Sequence, residues 1–325
     1  MKVRRLVIRF AAALLAATIP LLAAAQSFWP AQPVKLIVPY PPGGTTDFSA
    51  RLIGQKLGGL LGQPFVIEYK PGATGTIGAQ QVASARPDGY TMLANDMTYA
   101  MLPALFKKLP WEHAESLVPV TTLVVAPMVL AVPAGSRFKS LGDLVDYARN
   151  NPGKLNFGSG GVGSSSHLNG ELFSKEAAVH LTHVPYKGGG DALRGIMSGE
   201  IDLLIAASPT LVSQFKGGRV RAIAVSGAVR SAAFVDVPTF GEGGVPGYGV
   251  TSWFGLFAPK GTPSEVIGKL HAETVRALAD SAVKEKIAQQ GAETGGLAPD
   301  KFARFVAEET KRWGNIARAA GIKPE

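Results

Sequence analysis

Cysteine is absent from all 325 residues. That excludes a disulfide framework, a thiol nucleophile and any thiolate metal site. Charge is sparse: Asp, Glu, Lys and Arg make up 18% of the chain, scattered with no block of one sign. No basic run is interleaved with aromatics, which argues against nucleic acid, because neutralising phosphates takes clustered cations. The familiar enzyme signatures are missing as well: there is no G-x-S-x-G elbow, no Walker A loop and no H-E-x-x-H helix. No internal repeat at a fixed period is visible.

What is present begins with a leader. Met1 to Arg9 carry Lys2, Arg4, Arg5 and Arg9, followed by a 16-residue uncharged run from Phe10 to Ala25. The run is short of the ~20 residues of a membrane-spanning helix. Ala23-Ala24-Ala25-Gln26 suits a signal-peptidase cut after Ala25, so residues 1–25 are expected to be an export signal and the mature chain periplasmic. A retained membrane anchor is the alternative. Without the four basic residues of that segment, 29 Lys and Arg face 24 Asp and Glu, a formal charge of +5. Such a balance is compatible with an anionic ligand.

Beyond Gln26, short apolar runs alternate with helical patterns. Val34 to Val38, Phe65 to Tyr69 and Tyr90 to Ala94 are predicted strands, with a helix at apolar positions 48, 52, 53, 57, 60 and 61 and another running through Ala85. A second set of strands is expected at Leu155 to Phe157, Thr182 to Pro185, Asp202 to Ala207 and Val220 to Ser226. Strand, turn and helix in repetition predict an α/β fold with a largely parallel sheet. Two longer runs, Val118 to Pro133 and Thr251 to Pro259, flank the second set, and helical pattern dominates from Pro263 to Ala320. The long runs predict a two-strand hinge between domains that close on a ligand; one continuous sheet is the alternative. The expected division is 26–127 plus 254–325 for one domain and 128–253 for the other.

Three glycine-rich turns each precede a helix: Pro41 to Thr46, Ser159 to Ser166, and Lys187 to Gly190. Unpaired N–H groups and the helix dipole make such starts attractive to anions, and glycine lets a ligand reach the main chain. Ligands of open α/β sheets sit beyond the carboxyl ends of the strands, where all three turns fall. Gly158-Ser-Gly-Gly-Val-Gly163 matches G-x-G-x-x-G, but no acid follows the next strand, where a dinucleotide site needs one; no cofactor is expected. Ser164, Ser165 and Ser166 precede His167, yet neighbours on a helix point in different directions, so a capping serine is the better reading than a nucleophile with its base. His180 and His183 fall on opposite faces of a strand, against a metal site. Asp47 and Asp191 read as helix-capping residues, and Trp253, Phe254 and Phe257 as core.

Taken in order, several stretches resemble the Bug-type solute receptors of tripartite tricarboxylate transporters. They are Y-P-P-G-G-T-T-D-F-S-A-R from Tyr40, P-G-A-T-G-T-I-G-A from Pro71, A-R-P-D-G-Y-T-M-L from Ala85, G-K-L-N-F-G-S-G-G-V-G-S-S-S-H-L-N-G-E-L-F from Gly153 and H-V-P-Y-K-G-G-G-D-A-L from His183, with D-V-P-T-F-G-E-G-G-V-P-G-Y from Asp236 and T-S-W-F-G-L-F-A-P-K-G-T-P from Thr251. The resemblance implies a two-domain α/β periplasmic-binding-protein fold, type II-like, each domain a mixed sheet flanked by helices. It implies a monomeric, non-enzymatic receptor for a small mono- or dicarboxylate, aromatic bodies included, that meets membrane transporter subunits transiently. A periplasmic sensor presenting the ligand to a signalling partner is the alternative. Ligand contacts are implied at Pro42, Gly43, Gly44, Thr45, Thr46 and Asp47, at Ala73, Thr74 and Gly75, and at Ser159, Ser164, Ser165 and His167. Many relatives carry Asp after V-D-L-M-F; this chain reads Ile201-Asp-Leu-Leu-Ile-Ala206. Ala206 at that site disfavours an amino-acid ligand and fits a carboxylate without an amine.

Overall fold

A computed structural model describes residues 29–319 and 321–324. The export signal expected over 1–25 lies outside the described residues. The chain opens with β1 (Val34–Val38), α1 (Thr45–Leu61), β2 (Phe65–Tyr69), α2 (Thr76–Ala83), β3 (Thr91–Asp96) and α3 (Thr98–Leu105). In β1 only Lys35 is exposed, while Val34, Leu36, Ile37 and Val38 are buried. A strand covered on both faces belongs inside a parallel sheet. β1 indeed pairs in parallel with β2 on one side and β3 on the other. Helix α1 ends at Gly62, whose φ of 72° lets its N–H close on the Gly58 carbonyl.

The long apolar run is a single 17-residue strand, β4 (Leu117–Pro133). From Leu117 to Pro127 it pairs antiparallel with β9 (Thr251–Pro259). From Met128 onward its partners are different: β7 (Leu203–Ala207) on one edge and β8 (Val220–Val225) on the other. Between these come α4 (Leu141–Asn150), β5 (Asn156–Ser159), α5 (Ser165–Glu176), β6 (Thr182–Pro185), α6 (Gly189–Ser198) and α7 (Ser208–Lys216). The strand order is β2-β1-β3-β9-β4-β7-β5-β6, parallel within β2-β1-β3 and within β7-β5-β6, and antiparallel at β3-β9, β9-β4 and β4-β7. The expected α/β class with a mixed sheet and flanking helices is what the chain adopts.

The segment after Pro263 is dominated by helix, as expected. It divides into α8 (Ser264–Ala279), α9 (Ser281–Gln289), a two-residue strand β10 (Glu293–Thr294) against β4, and α10 (Pro299–Ala319). The break is chemical: the Asp280 carboxylate accepts from the N–H groups of Ala282 and Val283 and starts α9 as its cap. Trp253 and Phe257 of β9 are buried as expected, with ring centroids 5.4 and 5.3 Å from Phe302 of α10. A second, smaller apolar cluster gathers Val129 and Ala131 of β4 with Ile196, Leu204, Leu211 and Phe234.

A cleft built from helix starts

The carboxyl ends of β1, β2, β3, β5, β6 and β7 face one cleft of about 500 Å³. Pro42, Gly44, Thr45, Thr46 and Asp47 line it from the β1–α1 turn, and Ala73, Thr74 and Gly75 from the β2–α2 turn. Ser164 and Ser165 line it from the start of α5, Ala206 from the end of β7. The structure thus brings together eleven of the fourteen residues expected at the site. Gly43, Ser159 and His167 are not among the lining residues; Gly43 is exposed, while Ser159 and His167 are buried.

The β1–α1 turn is held from beneath. Gly43 adopts φ of 97°, and its N–H donates to Asp47 Oδ2 at 2.9 Å. Asp47 Oδ1 accepts from Arg51 Nε and from the Tyr69 hydroxyl, both at 2.7 Å. Asp47 is therefore not the helix cap proper but a buried clamp in the first turn of α1 that ties the turn to β2. The cap position is Gly44, which offers no side-chain cap. The same holds at Gly75 before α2 and Gly188 before α6. Three glycine-led helix starts thus meet the cleft with their first-turn N–H groups uncovered by a capping side chain.

Helix α5 differs. Ser164 caps it by accepting from the His167 N–H at 3.3 Å, so the serine is structural there, as its sequence context suggested. Gly163 N–H donates to His167 Nδ1 at 3.0 Å, and Gly160 N–H to Ser166 Oγ at 2.9 Å. His167 stacks on His183 with centroids 3.9 Å apart, and Ser159 Oγ lies 2.6 Å from His183 Nε2. Burial first, and then the neighbouring His167, lowers the His183 pKa to about 4. Ser159 and His167 hold the β5–α5 turn through hydrogen bonds within it and do not line the cleft.

Sequence reasoning missed several lining residues: Tyr40, Asp96, Arg194, Thr210 and Ser252. Asp96 is 8% exposed; its Oδ1 accepts from Thr98 N–H at 2.9 Å and from Tyr40 Oη at 3.0 Å. Burial raises both the Asp96 carboxyl and the Tyr40 phenol above their ordinary ranges. The signal that could have found Asp96 is position, since it closes β3 at the sheet's carboxyl edge. Arg194 pairs with Asp191. No cluster of three or more His, Asp or Glu that could hold a metal occurs among the described residues.

Residues 49–322 match the model of the tripartite tricarboxylate transporter family receptors. The chain belongs to that family. Rpa4515 from R. palustris, in its structure with adipate, is 36% identical with a TM-score of 0.88, over 91% of this chain and all of that one. The periplasmic binding protein BugD is 32% identical with a TM-score of 0.86, again over 91% of this chain and all of that one. MatC from Rhodopseudomonas palustris with bound malate is 34% identical with a TM-score of 0.84, over 89% and 99%. The chain is accordingly a solute-binding receptor of the Bug type with the periplasmic-binding-protein fold, and not an enzyme.

Proposed function

We propose that this receptor takes a small carboxylate, mono- or dicarboxylate, between two closing lobes and delivers it to the membrane subunits of a tripartite tricarboxylate-type transporter. The lobes are 26–127 with 254–325 and 128–253, and the working form is a periplasmic monomer freed of residues 1–25. The observation that carries the reading is the set of uncapped helix starts at Gly44, Gly75 and Gly188 around one cleft. A carboxylate is an anion of the right size for such amides, and the helix dipoles favour it. Adipate in Rpa4515 and malate in MatC support the same ligand class.

The magnitudes are sufficient. Micromolar binding needs about 8 kcal/mol. Hydrogen bonds to a charged group contribute ~1.5–3 kcal/mol each and helix ends ~0.3–2. Four or five such contacts, less ordering costs, reach that range without a buried arginine. A thermal-shift panel of adipate, malate, aromatic monocarboxylates and amino acids, followed by calorimetry on the hits, tests the reading. Stabilisation by plain carboxylates is expected. Stabilisation by amino acids with none by plain carboxylates would sink it.

A further inference from the structure

Asp96 is an acid in a cleft proposed to take an anion; burial favours its neutral form and outweighs the opposing pull of its donors Thr98, Tyr40 and Thr46. It closes β3 and is more than nine-tenths buried, yet it lines the cleft. Its two oxygens are unequal. Oδ1 accepts from the Thr98 N–H at 2.9 Å and lies 3.0 Å from Tyr40 Oη, whose proton is shared with Asn95 Oδ1 at 2.9 Å, whereas Oδ2 is met by the Thr46 hydroxyl at a long 3.4 Å. Among the described residues, no cation forms an ion pair with it.

The groups facing Asp96 are few. From the β1–α1 turn comes Tyr40, whose burial disfavours a phenolate; from α1 comes Thr46, from α3 Thr98, and from β9 the register partner Phe254. The other charged groups of the cleft are accounted for separately. Asp47 is clamped by Arg51, Tyr69 and the Gly43 amide, Asp191 pairs with Arg194, and Lys187 stands on the opposite wall with the β6–α6 turn. An ionised Asp96 would therefore confront an incoming carboxylate as a like charge in a poorly solvated place, where two carboxylates cannot both remain ionised.

We propose that Asp96 is the protonated donor of this site: its Oδ2–H hydrogen-bonds the ligand carboxylate, so binding of the anion is coupled to uptake of a proton. The proton comes from bulk solvent to Asp96 when the free cleft holds it ionised, and it stays on the pair while the ligand is bound. Apart from that O–H bond, formed with a proton given up by water or buffer, no covalent bond changes. The upward pull of burial on this carboxyl agrees with the geometry, and an acid held neutral to donate to an oxyanion is an established device in buried sites. The inference rests on the carboxylate-receptor reading and adds to it the group that selects an anion over an amine.

The test is calorimetry of adipate binding in phosphate and in Tris, whose ionisation heats differ, between about pH 6 and pH 8. The wild-type protein is expected to give buffer-dependent heats reporting up to one proton taken up per adipate. Its affinity should fall as pH rises, approaching tenfold per unit above the free-state pKa of Asp96. In Asp96→Asn the amide keeps a donor and cannot titrate, so uptake vanishes and affinity is flat with pH. Adipate binding by the wild type without proton uptake overturns this proposal and leaves the receptor reading standing. Proton uptake that persists in a folded Asp96→Asn protein also overturns it. Tighter binding of amine-bearing ligands with rising pH would make Asp96 a counter-ion instead. Failure of every carboxylate to bind overturns both readings.

Discussion

The Thr74 hydroxyl donates to the Val162 carbonyl at 3.0 Å, tying the turn before α2 to the turn before α5. A second pair, the hydroxyls of Thr45 and Thr210, stands 3.1 Å apart between α1 and α7. In both pairs one residue belongs to the strand–helix units built on β1 and β2, the other to those built on β5 and β7. Both pairs join the turns that line the cleft from its two sides. Thr74 holds φ of 56°, an uncommon conformation for a β-branched residue, kept in place by its surroundings. Removing the hydroxyl with Thr74→Val is expected to weaken adipate binding by about 2- to 10-fold, the worth of one net hydrogen bond. The melting temperature of the ligand-free protein should change little. Calorimetry showing wild-type affinity would remove the latch from the account.

Gly43 and Gly44 are neighbours with different reasons for being glycine. A Cβ at either meets no atom within 4 Å, so neither is excluded by packing. Gly43 sits at φ of 97°, and Gly44 at φ of −88° and ψ of 175°, which any residue adopts. Gly44→Val should therefore fold with a near-wild-type melt while its side chain blocks the first-turn amides, reducing affinity by about 100-fold or more, equivalent to two charged hydrogen bonds. Gly43→Val should lose about 1–3 kcal/mol of stability through strain and release the clamp on Asp47. Paired thermal melts and titrations separate the two. Retained affinity in Gly44→Val would count against the site.

Much of this was legible before any coordinates, and the exceptions have physical causes. β1, β2 and β9 run over the expected residues because each is a short apolar run bounded by Pro, Gly or Thr. β3 runs two residues past its expected end, through Asn95 and Asp96, which are poor strand formers held by pairing to Gly255 and Phe254. That tertiary extension is also what carries Asp96 to the cleft. The glycine-rich turns pointed to Thr45 and Thr46 and the family resemblance to Gly75, and all three line the cleft. Which side of a turn faces the cleft is not local, and Ser159 and His167, implied by the resemblance, do not line it. The stack of His167 on His183 joins two elements, and no spacing in the sequence reports it.

Two imidazoles make stability depend on pH. His113 stacks on Tyr99 at 4.4 Å with both ring nitrogens buried and unpartnered, and burial lowers its pKa to about 4. His183 is lowered to about 4 as well, by burial and then by His167. Below the ordinary value of 6.5 the unfolded chain binds protons that the folded chain does not, so stability present at neutral pH is lost as pH falls from 6.5 towards 4. Thermal melts across that window should show a declining midpoint. His113→Phe keeps the ring stack and removes two orphaned nitrogens, so its midpoint should lie above wild type at pH 7 and fall less on acidification. An acid limb identical to wild type would place the linkage elsewhere.

Ala206 separates the ligand classes most sharply. It is the penultimate residue of β7, is 8% exposed, lines the cleft and pairs with Val129 of β4. A carboxylate at this position would face the uncapped helix starts that are proposed to hold the ligand, competing for them and repelling a second anion. Ala206→Asp is expected to lose adipate affinity by about 100-fold or more, since a like charge at close range at a partly solvated site opposes binding by several kcal/mol. Bulk alone cannot be mistaken for charge if Ala206→Asn is measured beside it, because Asn has nearly the same volume and no charge. Asn should lose far less than Asp, and only the Asp variant should gain response to an amino acid, whose ammonium group can pair with the new carboxylate. Equal losses in the two variants would mean that Ala206 serves as space rather than as the absence of a charge.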